Sequence, residues 1–389
     1  MVKKWRDLSQ TARKTLACIF CALLAAVVTA VVIVLTFGGL KDFRSAQKFA
    51  EINGVIHEYY IGETDPQAVD DAAYAAQIEA LGDRWSYYMN AKEYQDYVNY
   101  TKNQATGIGV TVALDGQTGE IAVVSVAGGS PAEQAGIQAG DVIVSVAGED
   151  AAGKSVPELS AMIGAQGGAD FSMELRGADG TQREVLVHRE TFSVEPVSSR
   201  MLDGDVGYVK ILNFESGAGQ HAIDAVRDLM SRGAKGLVFD VRGNPGGQVS
   251  ELTALLDFLL PEGDIFVSVG RDGSEEVTRS DAACVDLPMA VLINRDSYSA
   301  AEFFAAALDE YGKAFTAGEA TSGKSRSQIT VPLPDGGAVH ISSRSYLTPE
   351  RVDLAAQGGL EPDYPVAMGA EGDAQLDAAR EKLISTLTP

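Results

Sequence analysis

Between Thr15 and Leu40 the chain carries no charged side chain, and that run constrains every other reading. The segment TLACIFCALLAAVVTAVVIVLTF, residues 15–37, is long enough to cross a bilayer, which takes about 20 apolar residues. Lys3, Lys4, Arg6, Arg13 and Lys14 precede it, and only Asp7 opposes them. The positive-inside bias therefore predicts a cytoplasmic tail at 1–14, a transmembrane helix at 15–37, and everything after residue 40 outside the cell membrane. A cleaved signal sequence has a shorter apolar core, so an uncleaved single-pass anchor is the expectation.

The chain has 389 residues, enough for two or three domains with cores of their own. Its net charge of -23 excludes nucleic-acid binding through a basic surface. Cys18 and Cys21 lie within the apolar run and Cys284 is alone beyond it. No disulfide can staple the exported part, and all three read as structural.

Three textures follow the apolar run. Residues 41–104 read as helices, then an aromatic-rich stretch, RWSYYMNAKEYQDYVNY. Residues 105–190 hold short β-branched runs punctuated by glycine turns, with helical pieces at SPAEQAG and SVPELSAMIG. Residues 191–389 alternate strands such as GLVFD and MAVLIN with helices such as QHAIDAVRDLMSRG, which argues for an α/β layer structure.

Within the middle module, Gly107-Ile108-Gly109-Val110 allows consecutive backbone N–H groups to turn inward at the entry to a strand. Such a nest can hold a terminal carboxylate while the strand edge pairs with an extended peptide. Joined to SPAEQAGIQAGDVI, the segment resembles a PDZ domain over its whole length. The resemblance implies that residues 107–110 grip protein C-termini. Arg176 offers a charge near that site, although a solvated strand end is the simpler role for it.

In the last module two chemistries compete for Lys324. GEATSGKS, residues 318–325, matches a phosphate-binding loop at every position, and GLVFD supplies Asp240 at a strand end. That loop needs a helix after it, whereas the continuation RSQITVPLP is β-branched and carries Pro332 and Pro334. The alternative makes Lys324 the general base for Ser299. A serine needs a base to take its proton, and a lysine serves only if burial brings it well below its ordinary value near 10.4. Gln328 follows Lys324 by four positions, so an extended segment would put both on one face. Ser299 also precedes Glu302 by three, a capping box that many helices use without any chemistry. Gly246 and Gly247, in DVRGNPGG, open the next helix in this reading, and exposed N–H groups at such a start suit a developing oxyanion. His57, His188, His221 and His340 lie outside these segments, which argues against a Ser-His-Asp triad. No His/Cys/Asp cluster has ligand spacing, so neither metal nor organic cofactor is implied.

DVRGNPGG, NRDSYSAAEFFAAALDEYG, GKSRSQ and GLEPDYPV, together with the PDZ segment, resemble the carboxyl-terminal processing peptidases, S41 serine proteases with a Ser-Lys pair. The match covers nearly all of the exported chain, including the 25 positions from Ser299 to Lys324. Departures are Arg84-Trp85-Ser86, where the family usually has Pro-Tyr-Ser after the aspartate, and Ala301, where a second serine is common. The resemblance implies a core related to the crotonase and Clp-protease folds, with an inserted PDZ domain and an N-terminal helical segment. It makes Ser299 the nucleophile, Lys324 the base, Gln328 the group orienting the lysine, and the Gly246 and Ala300 N–H groups the oxyanion hole. Ser297 has the wrong spacing, Glu310 receives no catalytic role, and Glu302 is a structural neighbour. The partners it implies are protein or peptide substrates with free C-termini, and homodimerisation through residues 41–104 and the C-terminal tail is compatible with it. The competing reading is a non-catalytic PDZ scaffold that binds C-terminal tails. A resting state with serine and lysine apart is also foreseen.

Overall fold

The computed structural model describes residues 10–36, 40–116, 118–369 and 372–387. Lys3, Lys4, Arg6, Asp7 and Phe37, which entered the membrane reading, lie outside them. The chain divides into two units, residues 1–70 and 71–389. In the first, one helix runs Gln10–Thr36 and a second Leu40–Tyr59. Arg13–Val32 is long and apolar enough to cross a membrane, and its Leu, Ile, Val and Phe side chains are exposed rather than packed in a core.

The second unit is built on a six-stranded sheet in the order Val197–Leu202, Val206–Ile211, Gly236–Asp240, Met289–Ile293, Ala314–Gly318 and Tyr364–Pro365. The first pair is antiparallel and the rest run parallel. Strands buried on both faces read as continuous apolar runs. Here Leu237, Phe239, Met289, Val291 and Ile293 enter one core, and Val238, Ala290 and Leu292 enter the other. The period of two thus divides each strand between two layers. One face is covered by helices Ala218–Ser231, Val249–Leu259 and Ala300–Glu310, the other by helix Ala374–Leu387 through Leu376, Ala379 and Leu383.

A second sheet closes over the helices Val249–Leu259 and Ala300–Glu310. Its strands are Tyr87–Met89, Ala338–Leu347, Gly263–Val269 and Glu275–Ser280, with Arg326–Pro332 paired to Ala338–Leu347. Ile265, Phe266 and Tyr346 from it share the core with Leu252, Leu255 and Phe303.

Residues 110–187 form a separate antiparallel sheet, ordered Val110–Leu114, Ile121–Val126, Val142–Val146, Phe171–Arg176 and Gln182–Val187, around Ile121, Leu159, Met173 and Leu175. Strands Gln104–Gly107 and Glu190–Ser193 pair antiparallel as its two-stranded stem. Val110–Leu114 is an edge strand, bonded on one side only.

The geometry that matters most follows from chain direction. Four parallel strands end at Ile211, Asp240, Ile293 and Gly318, and the loops leaving them carry Glu215, Gly246, Ser299 and Lys324. In open α/β sheets ligands bind in the crevice beyond the carboxyl ends of the strands.

Candidate active site

Those loops border a cleft of about 870 Å³ whose lining includes Trp85, Glu215, Gly246, Ser299, Lys324 and Gln328. Ser299 sits between strand and helix at φ 59° and ψ -128°, a conformation that L-residues rarely adopt. A non-glycine residue held there costs about 1–3 kcal/mol and persists only where the surroundings over-determine it. Strained strand-to-helix turns of this kind are how a sheet presents a nucleophile.

Glu302 is what over-determines it. Its carboxylate is fully buried and accepts from the Ser299 N–H at 2.8 Å, the Thr321 hydroxyl at 2.5 Å, the Gly323 N–H at 2.6 Å and the Lys324 N–H at 2.9 Å. One side chain therefore ties the serine turn to the lysine loop. Thr321 Oγ1 also accepts from the Leu360 N–H at 2.8 Å, which extends the tie into GLEPDYPV. Sequence spacing identified Glu302 only as a capping residue; its contacts at 321–324 are long-range and leave no periodic signal.

The Ser299 hydroxyl is 2.7 Å from the buried Tyr346 hydroxyl. Burial pushes the Tyr346 phenol up, so it stays protonated. Lys324 does not reach the serine in this state. Its Nζ lies 4.5 Å from the Trp85 ring centroid and 5.9 Å from that of Tyr298. Trp85, read in the sequence only as a departure from Pro-Tyr-Ser, is thus the lysine's main aromatic contact. Burial brings the Lys324 amine down to about 8, with Glu302 and Asp83 opposing and Arg84 assisting. A neutral lysine is the form able to accept a proton. Activity is therefore expected to rise about tenfold per pH unit below about 8 and to level off above it. The test is kcat/KM for an unfolded protein substrate between pH 6 and 10. An acid-side optimum would remove Lys324 as the base.

Gln328 lines the same cleft, but its Nε2 donates to the Arg326 carbonyl and to Ser342 Oγ, both at 3.0 Å. The strand begins only at Arg326, so Lys324 precedes the extended segment on which the shared-face argument relied, and the register shift at Ser327/Gln328 places its extra residue, Ser343, on the partner strand. Lys324-Ser325 leads into that strand and not into a helix, unlike a phosphate-binding loop. Asp240, the other half of that reading, pairs with Lys210 at 3.0 Å and Arg242 at 2.7 Å.

Gly246 and Gly247 take φ 93° and 150° in a loop; the helix begins later, at Val249. A Cβ on Gly246 would lie 2.7 Å from Ser299 Cβ and 2.9 Å from the Ala300 nitrogen, so only glycine fits against the serine turn. Its N–H donates to Asn244 Oδ1 at 2.8 Å in this state. Ala300, the other residue assigned to the oxyanion hole, opens its helix immediately after Ser299. Ser297 is fully buried with its hydroxyl on the Val241 carbonyl at 2.8 Å, a structural role. Glu310, at the far end of the helix, accepts from the Glu350 N–H. His340 does line the cleft, 4.8 Å from Tyr87 ring to ring and 2.8 Å from Thr330 Oγ1 through Nδ1. Burial and Lys324 push it down to about 4, so the imidazole is neutral.

A second groove of about 300 Å³ lies along the edge strand Val110–Leu114, lined by Gly107, Ile108, Gly109, Val110, Leu159 and Arg189 among others. A Cβ on Gly109 would come within 2.2 Å of Ser130 Cβ, which requires glycine there. Arg176 is held by Glu120 at 2.5 Å and does not border this groove; Arg189 is the charged residue that does.

A family model for peptidase family S41 matches residues 205–366, and one for the PDZ domain matches residues 123–187. A carboxy-terminal processing protease, CtpA, of Bacillus subtilis is 33% identical over 77% of this chain and 65% of its own length. A carboxyl-terminal-processing protease of Synechocystis sp. is 29% identical over 80% of this chain and 75% of its own length. The chain belongs to the carboxyl-terminal processing peptidases. Among solved structures, a photosystem II D1 C-terminal processing protease shares the fold with a TM-score of 0.51 and 26% identity over 91% of this chain and 94% of that one. This chain thus spans about two thirds to three quarters of the two curated relatives. An S41 core carrying a PDZ domain, as the motifs indicated, is what the chain forms.

Proposed function

We propose that the chain is a membrane-anchored serine endopeptidase that acts outside the cytoplasmic membrane, with its PDZ groove capturing free C-termini and a Ser299–Lys324 pair cutting the chain that lies in the cleft. The observation that carries this is the pairing, through Glu302, of a strained serine at a helix start with a desolvated lysine in one cleft. Neutral Lys324 takes the Ser299 proton as Oγ attacks the scissile carbonyl. The Ala300 and Gly246 N–H groups receive the oxyanion. Collapse expels the amine, which takes its proton from Lys324, and water then resolves the acyl-enzyme. Gln328 orients the amine once Lys324 has turned inward.

The state described is latent under this reading. Lys324 must leave Trp85, the Gly246 N–H must leave Asn244, and Ser299 must leave Tyr346. A cation over an aromatic ring is worth roughly 0.5–2 kcal/mol, which a bound peptide can offset. The separation of serine and lysine is also the one observation that favours a non-catalytic scaffold. The two readings part in one assay: full-length protein in detergent with an unfolded protein substrate, with and without a peptide whose free C-terminus is apolar. Cleavage that appears or increases with the peptide is expected. Silence in both arms would leave the scaffold.

A further inference from the structure

We propose that the part of the catalytic cleft lined by Glu215, Tyr97, Tyr100 and Gln248 is a specificity subsite that takes a basic side chain, lysine or arginine, of the substrate. The proposal rests on the cleft holding an extended peptide. Glu215 lies on the loop after strand Val206–Ile211 and is 7% exposed. Its neighbour Phe214 is bridged to Gly247, beside the catalytic glycine, which fixes this carboxylate to the wall of the reaction site.

Its bonding differs from that of the structural acids nearby. Glu302 receives four donors, and Glu251 receives the Gly217 and Gly219 N–H groups at 3.0 and 2.9 Å. The Glu215 carboxylate is met by one side-chain amide, Gln248 Nε2 at 3.2 Å, which also donates to the Thr101 carbonyl. Among the described residues no arginine, lysine or histidine pairs with Glu215, and the charge acting on it, Glu251, is also negative. Burial therefore pushes the carboxyl up to about 7. A buried acid without a cation is costly, and a cation brought by a ligand removes that cost. Tyr97 and Tyr100 border the same space, and aromatic rings attract ammonium and guanidinium groups. An apolar or acidic side chain would leave the carboxylate as unfavourable as it found it. The arginine and lysine that line the cleft, Arg84 and Lys324, are both engaged with Trp85.

The test is binding and needs no turnover. Full-length Ser299→Ala protein in detergent is titrated with N-acetylated, C-terminally amidated, labelled decapeptides whose only charged residue is one lysine moved along the sequence. Amidation removes the free carboxylate that a PDZ groove would grip. At one position lysine is expected to tighten binding at least tenfold over norleucine. Adding Glu215→Gln should abolish that gain with an unchanged melting temperature, and Glu215→Lys should make glutamate the preferred residue there. A lysine gain that survives Glu215→Gln, or no position at which lysine helps, overturns the subsite. Absence of proteolysis by the unsubstituted protein would count against the protease reading alone, since the binding difference is read separately.

Discussion

Ser299→Ala is expected to leave no measurable cleavage of an unfolded protein by the full-length chain, a loss on the order of 10⁴-fold or more in kcat. Lys324→Ala should lose as much, because a serine hydroxyl without a base is a poor nucleophile. Lys324→Arg is the sharper variant. Its guanidinium keeps the positive charge over Trp85 but never deprotonates, so it should be inactive at every pH. Alanine at 324 also removes the aromatic contact, so arginine separates loss of the base from loss of the resting geometry. Unaltered melting curves for all three variants would place the loss in the chemistry. Cleavage surviving in Ser299→Ala would remove the nucleophile assignment, and cleavage by Lys324→Arg would remove the base.

The second large effect is expected at Glu302, which takes part in no chemical step. All four of its partners are donors, two on each carboxylate oxygen. Glu302→Gln would set an NH₂ group against two of them, and Glu302→Ala would leave all four without an acceptor. A buried donor left unsatisfied costs about 1–3 kcal/mol, so Glu302→Ala should destabilise the fold by several kcal/mol and Glu302→Gln by about half as much. Activity should fall further than stability, since the serine turn and the lysine loop lose their common anchor. Denaturant unfolding alongside kcat at a temperature where the variant is folded separates the two. An unchanged unfolding midpoint in Glu302→Ala would sink the tether.

Particular residues mark how much of this was legible without a structure. The motifs in DVRGNPGG, NRDSYSAAEFF and GKSRSQ are local, and backbone requirements there are written into residue type. Gly246 must be glycine because Ser299 packs against it, and Gly109 because Ser130 does. Gln328 was assigned by counting residues in an extended segment; it does line the cleft with Lys324, although the strand starts only at Arg326 and its amide bonds Arg326 and Ser342 in this state. Tyr346 and Glu215 carried no site signal, Trp85 showed only as a departure from Pro-Tyr-Ser, and Asn244 stood unremarked inside DVRGNPGG. Tyr346, Trp85 and Glu215 enter the cleft from different loops or strands, and one sequence holds no record of which loops meet.

What the sequence by itself determined is the apolar run that can cross a bilayer and the two modules after it. These rest on composition, period and short-range spacing, which local backbone chemistry enforces. Only the tertiary structure decided the state of the site. Whether Lys324 rests on Trp85 or reaches Ser299, whether the Gly246 N–H faces Asn244 or the cleft, and whether Glu215 has a cation are questions of long-range packing. Each of these contacts joins residues far apart in the chain or turns on the orientation of one group, and no short-range sequence pattern encodes that.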